Sequence, residues 1–273
     1  MDLIFFDLDG TLLNDASEIS PFTKDTLTLL SEKNIAYTVA TGRTMLSAQR
    51  ILEGHEFELP QIYNNGVTIW DPINQQLTLK NLLNNAEIST IIEVVLKKGI
   101  TPFVNTIDNK NNHFMFHSET RHNVEKELIL KYFSSSKATL LPLEALPIDS
   151  QVTNISMIGC AEVINDMWLE FNTYKNLIAY SGPALEGKEY RWMDIHHYLA
   201  NKGSAVTNLK KQLKASNVIC FGDSDNDLSM FTLADESYAP ENAKEVIKKS
   251  ANAVIGHNHK DGIAHFLRER FSL

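Results

Sequence analysis

The chain has little of what marks a secreted, membrane-spanning or nucleic-acid-binding protein. Only two cysteines, Cys160 and Cys220, occur among 273 residues, so no disulfide framework can be built. Each sits in an apolar run, where a buried thiol is expected. No stretch reaches the roughly 18 to 20 apolar residues of a membrane span. Met1-Asp2-Leu3 leads straight into a strand-like segment without a basic region or a small-residue cleavage site, so a cytoplasmic location is expected. Basic residues are in deficit: 25 Lys and Arg against 34 Asp and Glu give a net charge of −9 with His neutral. That balance argues against a general nucleic-acid binder, but it leaves room for a locally positive site that takes a small anion. Repeats, low-complexity tracts and linkers rich in Gly and Ser are missing as well. What is present is ordinary globular usage, 43% hydrophobic and 22% charged. The length gives a prior of about two domains.

The order of apolar runs predicts an α/β protein. Leu3–Phe6 reads as a buried strand, followed by a helix that Ser20 caps and Pro21 opens. Ile35–Thr41 is a second buried strand with a helix behind it through Ile51, and Gln61–Asn64 is a third, short one. Strand and helix in alternation suggest a parallel sheet built by right-handed crossovers. Gly66–Trp70 and Gln76–Leu79 then read as a hairpin. The middle of the chain changes rhythm. Helices at about 86–98, 119–133 and 162–174 alternate with strands at 101–107, 113–116, 152–160 and 177–180, the pattern of an α+β insert with a largely antiparallel sheet. The α/β rhythm returns with a helix at 204–213 and a strand at 217–221. Helices at 228–234, 243–250 and 263–270 and a strand at 253–255 complete the chain.

Chemistry-bearing residues fall at strand ends. Asp7-Leu8-Asp9-Gly10-Thr11 follows the first strand, and carboxylates at i and i+2 share one face of an extended chain. Ligands of open α/β sheets bind outside the carboxyl ends of the strands. Two like charges so close call for a cation, and a hard divalent ion such as Mg²⁺ suits oxygen donors. Gly10 permits a sharp turn. Thr41-Gly42-Arg43 offers a hydroxyl and an N–H at the end of the second strand, a natural cradle for a phosphate, although alone it is a plain turn. Lys202, in Asn201-Lys202-Gly203-Ser204, can supply a point charge to a phosphate; alone it reads as a solvated lysine. Gly222-Asp223-Ser224-Asp225-Asn226-Asp227 puts three carboxylates within five positions after a buried strand. It is not a calcium EF-hand loop, because the sixth-position Gly and twelfth-position Glu are absent. His196-His197 and His257-Asn258-His259 lack a full ligand set and read as surface or loop histidines.

Together and in this order the four segments resemble the haloacid dehalogenase superfamily of phosphatases, Cof-type branch. Asn64-Asn65-Gly66 and the tail Asn242-Ala243-Lys244 and Lys260-Asp261-Gly262-Ile263-Ala264 extend the likeness over the whole chain. Ala239-Pro240-Glu241 departs from the family's usual turn without losing a catalytic group. The resemblance implies a doubly wound, Rossmann-like parallel-sheet core formed by residues 1–82 and 189–273. An α+β cap formed by residues 83–188 would set substrate specificity. It implies Asp7 as nucleophile, Asp9 as general acid and base, and Mg²⁺ on Asp7, Asp9 (through its carbonyl) and Asp223, with Asp227 in support. Thr41, Gly42, Asn226 and Lys202 would bind the phosphate. The implied activity is hydrolysis of a small phosphorylated metabolite, a sugar phosphate, nucleotide or cofactor phosphate, through an aspartyl-phosphate. No nucleic-acid or membrane partner is expected. A phosphomutase of the same superfamily or a non-catalytic phosphate-binding protein are the rival readings. The insert carries no readable code for the substrate.

Overall fold

The computed structural model describes residues 1–130 and 137–273. The chain divides into two compact units, 1–78 with 201–273, and 79–200.

The first unit is an α/β layer structure. Strands β1 (Asp2–Phe6), β2 (Ala36–Val39), β12 (Asn217–Phe221), β13 (Glu236–Pro240) and β14 (Ala253–Ile255) form a parallel sheet in the order β14-β13-β12-β1-β2. Alternation along β1 and β12 sends side chains to opposite faces. Ile4, Phe6, Ile219 and Phe221 join one apolar cluster, while Leu3, Phe5, Val218 and Cys220 join another. Helices α1 (Pro21–Glu32) and α9 (Gly262–Phe271) cover the first face with Leu27, Leu30, Ile263 and Leu267. Helices α6 (Lys202–Gln212) and α8 (Glu245–Ser250) cover the second with Val206, Leu209 and Ile247. Both faces are therefore dry, as the unbroken apolar strands require. Helix α1 begins as the sequence predicts, with the Ser20 hydroxyl accepting from Thr23 N and Pro21 in the first turn. A small antiparallel sheet, β3 (Gln61–Tyr63), β4 (Thr68–Asp71) and β5 (Gln76–Leu79), completes this unit. The reversal between β4 and β5 is an Asx turn in which Asp71 accepts from the N–H groups of Ile73 and Asn74.

The second unit is a six-stranded sheet in the order β10-β11-β9-β6-β7-β8. Its strands are β6 (Phe103–Ile107), β7 (His113–His117), β8 (Thr139–Pro142), β9 (Val152–Cys160), β10 (Leu177–Ala184) and β11 (Gly187–His197). All neighbours are antiparallel except β7 and β8. Helices α3 (Asn85–Lys97) and α5 (Ala161–Phe171) pack Ile91, Val95, Ile164 and Met167 onto one face, against Val104, Ile155, Met157 and Met193.

Several expectations shift. The division falls at 79 and 200 rather than at 83 and 188, because β11 pairs with β9 as far as Ile195 and with β10 as far as His197 and cannot leave their sheet. The helix expected over 119–133 forms at α4 (Asn123–Leu128); positions 131–133 lie outside the described residues. Strands β8 and β13 were not expected, since Thr139–Pro142 and Glu236–Pro240 carry Thr, Pro, Glu and Ser where an apolar run would signal a strand. Cys220 is buried in β12, whereas Cys160 is exposed, because β9 ends there and α5 begins. His196 is fully buried rather than a surface histidine, packed edge-on against Tyr180.

Candidate active site

Strands β1 and β12 are neighbours in the sheet, and Phe6 pairs with Phe221. The two acidic loops therefore leave the sheet side by side, at the point where strand order runs outward in both directions. One carboxylate oxygen each from Asp7, Asp223 and Asp227 lies within 4.8 Å of the others. Asp7 and Asp227 are buried.

Lys202 enters from the first turn of α6, whose N-terminus Asn201 caps by accepting from Ser204 N. Its side chain is wholly buried, and Nζ donates to Asp7 Oδ1 at 2.5 Å and to Asp227 Oδ1 at 2.6 Å. A charged lysine is buried only when paired, which overturns the solvated reading of this residue. The remaining oxygen of Asp227 accepts from the backbone N–H groups of Asp223 and Ser224, each at 2.9 Å. Asp227 is thus a tie between the loop backbone and Lys202. Asp223 accepts from the Thr11 hydroxyl at 3.2 Å, which joins the two loops.

The electrostatics follow from crowding. Burial pushes Asp7 well above the usual carboxylate range; Lys202 pulls against it, and Asp227 and Asp223 push it further up. Burial and the neighbouring Asp227 raise Asp223 to about 6. Burial alone would lower Lys202, yet the carboxylates of Asp227 and Asp7 outweigh it and hold the ammonium firmly charged. One cation among three carboxylates leaves excess negative charge. Oxygen donors at this spacing fit a hard divalent cation, so the chemistry of the cluster is compatible with Mg²⁺.

The turn after β1 is irregular. Asp9 is extended at φ −71° and ψ 126°, and Gly10 is left-handed at φ +73°. A Cβ on Gly10 would come within 2.6 Å of Asp223 Oδ2, so the backbone can approach the cluster only as glycine. The Gly10 carbonyl accepts from Asn242 Nδ2 at 2.7 Å, and Asn242 Oδ1 accepts from Asn258 N. Asn258 Nδ2 in turn donates to the Leu13 carbonyl, so the tail of the chain clasps this turn at both ends.

Thr41, Gly42 and Asn226 gather next to it. Thr41 is buried, its hydroxyl accepting from Arg43 N and its carbonyl from Asn65 N. Asn226 donates to Asn65 Oδ1 at 2.9 Å, and a side chain on Gly42 would meet both asparagines at 3.3 Å. The buried Oδ1 of Asn226 has no partner among the described residues. The carboxylate of Asp9 is not part of the acidic cluster. It is 54% exposed and is held by Arg43. Sequence reasoning gave no role to Arg43, Asn65 or Asn242. Arg43 lies within Thr41-Gly42-Arg43, but nothing in the spacing pairs it with Asp9, 34 positions away.

Fold and site together define an α/β protein with a lysine-bridged acidic centre at the carboxyl ends of its parallel strands. Residues 4–267 match the haloacid dehalogenase-like hydrolase family, and the chain belongs to that family. It is 26% identical to the pyridoxal phosphate phosphatase YbhA of Escherichia coli over 97% of each chain. It is 28% identical to the 5-amino-6-(5-phospho-D-ribitylamino)uracil phosphatase YwtE of Bacillus subtilis, over 100% of this chain and 99% of the relative. A solved haloacid dehalogenase-like hydrolase of B. subtilis superposes with a TM-score of 0.81 at 24% identity, over 98% of this chain and 99% of that one, which establishes the shared fold.

Proposed function

We propose that the protein is a Mg²⁺-dependent phosphatase that hydrolyses a small phosphorylated metabolite through an aspartyl-phosphate on Asp7. The observation that carries this reading is the convergence of Asp7, Asp223 and Asp227 on one another, with the Lys202 ammonium bridging two of them. The names of the relatives, phosphatases of a cofactor phosphate and of a phosphoribitylamino compound, support the substrate class.

In this reading an Asp7 oxygen attacks phosphorus, forming a P–O bond while the bond to the substrate oxygen breaks. Asp9 gives its proton to that departing oxygen. Water then attacks the phosphorus of the acyl phosphate, Asp9 takes its proton, and the Asp7 carboxylate leaves with inorganic phosphate released. Mg²⁺ would be held by the carboxylates of Asp7 and Asp223 and the backbone carbonyl of Asp9. When bound, it would screen the repulsion between nucleophile and phosphate. Asp227 supports from behind, already committed to Lys202 and to two backbone N–H groups. Lys202 holds Asp7 in one orientation and faces the negative charge of the transferring group. Thr41, Gly42 and Asn226 would donate to phosphate oxygens at the end of β2. The division of the family fold into two compact units supports a cap role for residues 79–200.

The experiment is phosphate release over a panel of alkyl phosphates, with Mg²⁺ and with chelator. The panel holds pyridoxal 5′-phosphate, 5-amino-6-(5-phospho-D-ribitylamino)uracil and sugar phosphates. Turnover of at least one member that chelator abolishes and Mg²⁺ restores is expected. Absence of Mg²⁺-dependent release from the whole panel and from p-nitrophenyl phosphate would overturn the reading. Turnover that depends on an added sugar bisphosphate would point to a mutase instead.

A further inference from the structure

Arg43 grips both carboxylate oxygens of Asp9 with two nitrogens of its guanidinium. Arg43 Nε donates to Asp9 Oδ2 at 2.6 Å, and Nη2 donates to Oδ1 at 2.5 Å. Pairs between partly exposed side chains contribute little stability, so stability alone does not account for two short bonds to one carboxylate. Their effect is geometric. Bidentate pairing fixes the plane and the direction of a carboxylate, which a single bond does not.

The backbones on both sides are already fastened. Arg43 N donates to the Thr41 hydroxyl at 3.1 Å, and the Arg43 carbonyl accepts from Asn64 N at 2.9 Å. Asn64 and Asn65 hold this bend with left-handed backbones, φ +48° and +52°. Asp9 lies in the kinked turn whose next residue, Gly10, is clasped by Asn242. What remains free at Asp9 is its side-chain torsions. Its carboxylate is half exposed, and among the described residues Arg43 is the side chain that donates to it.

We propose that Arg43 is a positioning residue that acts through Asp9: its fork sets where the Asp9 carboxylate faces, and hence its reach to the leaving oxygen. The proposal rests on the acid–base reading of Asp9 given above. It commits the Thr41-Gly42-Arg43 bend to two tasks, a backbone that faces the phosphate and a side chain that aims the acid. Lysine cannot substitute, because an ammonium on a flexible stem presents no planar fork.

The test uses kcat/KM, which reports steps up to phosphorylation of Asp7. It compares the fastest alkyl phosphate of the panel above, whose alkoxide needs a proton, with p-nitrophenyl phosphate, whose leaving group does not. Variants are Arg43→Ala, Arg43→Lys, Asp9→Asn and the double variant Arg43→Ala/Asp9→Asn, each checked by circular dichroism and Tm. Both Arg43 variants should lose on the order of 10²-fold on the alkyl phosphate, the low end of general-acid contributions. They should lose less than about threefold on the aryl phosphate. In the Asp9→Asn background, Arg43→Ala should change the alkyl rate by less than about threefold, because residues that act as a unit are not additive. Equal losses on both probes, or additive losses in the double variant, would overturn the proposal while leaving the acid–base reading intact. A wild-type alkyl rate in Asp9→Asn would instead remove Asp9 from the reaction, and the proposal with it. Full rescue by Arg43→Lys would show that charge rather than the fork matters, which also overturns it.

Discussion

Lys202 and Asp227 are both fully buried and lie 2.6 Å apart, and the same ammonium reaches Asp7 at 2.5 Å. One cation thus serves two buried anions, Asp227 without exposure and Asp7 with a small exposed edge. Removing the cation leaves two buried carboxylates facing each other, an arrangement far costlier than the loss of an exposed pair.

Lys202→Ala is therefore expected to lose about 3–5 kcal/mol of stability, read as a fall in the denaturation midpoint. It should also lose orders of magnitude in turnover. A variant with a wild-type midpoint would mean that the two carboxylates had found another partner, and a rate change below about threefold would remove Lys202 from the site.

Asp7→Asn keeps the shape of the side chain and one acceptor for Lys202, but it removes the attacking oxygen anion. Turnover should fall by three or more orders of magnitude, on the scale seen when a nucleophile is lost, with Tm near that of the parent. Substantial activity in the folded variant would refute the nucleophile assignment.

Added Mg²⁺ is expected to raise Tm, because a ligand of the native state stabilises it by mass action. Asp223→Asn should abolish most of that rise while leaving the fold intact, since the Asp227 oxygens that organise the loop backbone are untouched. An equal rise in parent and variant would place the ion elsewhere.

Gly10→Ala should weaken Mg²⁺ binding and destabilise by about 1–3 kcal/mol, because a left-handed non-glycine residue is strained. Its methyl group would also press on Asp223 Oδ2 at 2.6 Å. Thermal melts with and without Mg²⁺ would read both effects, and a variant unchanged in either would show that the turn has room to shift.

His196 supplies a dependence on pH away from the acidic cluster. Burial lowers it from 6.5 to about 4, against a hydrogen bond with Thr153 that raises it. A depressed pKa means that the unfolded chain takes up the proton first. Its contribution is full above pH 6.5 and is lost as pH falls through about 4. A change of this size is worth about 3 kcal/mol. The stability advantage of the parent over His196→Gln should shrink across that interval, measured by denaturant titration at each pH. A constant difference would show that His196 does not titrate on unfolding.

Much of the sheet and the acidic centre can be read from the sequence because both rest on local signals. The apolar runs of β1 and β12 end in Asp7 and Gly222-Asp223, and parallel pairing makes those ends coincide. Where local signals are weak, the reading stops. Strand β13 opens with the polar pair Glu236-Ser237, and its buried Ser237 is satisfied by Asn252, 15 positions away. The turn around Gly10 is held by Asn242 and Asn258 from the far end of the chain, contacts that no short-range pattern encodes. Asp9 looks from its spacing like a second metal carboxylate, yet a guanidinium from the loop after β2 draws its side chain elsewhere. The limits of the insert blurred for a similar reason, since β11 belongs by hydrogen bonding to strands that precede it.

The partnership between Asp7 and Lys202 spans 195 positions of chain. During vectorial synthesis β1 and its neighbour β2 emerge long before β12 and α6, so for most of translation the β12 side of its apolar strand is unpaired and its aspartate lacks the Lys202 counter-ion. The reactive centre comes into being as a late event, once the returning segment inserts beside the first strand. A ribosome-bound intermediate that ends before α6 would be silent towards phosphate esters and rich in exposed apolar edge, a natural client for a chaperone.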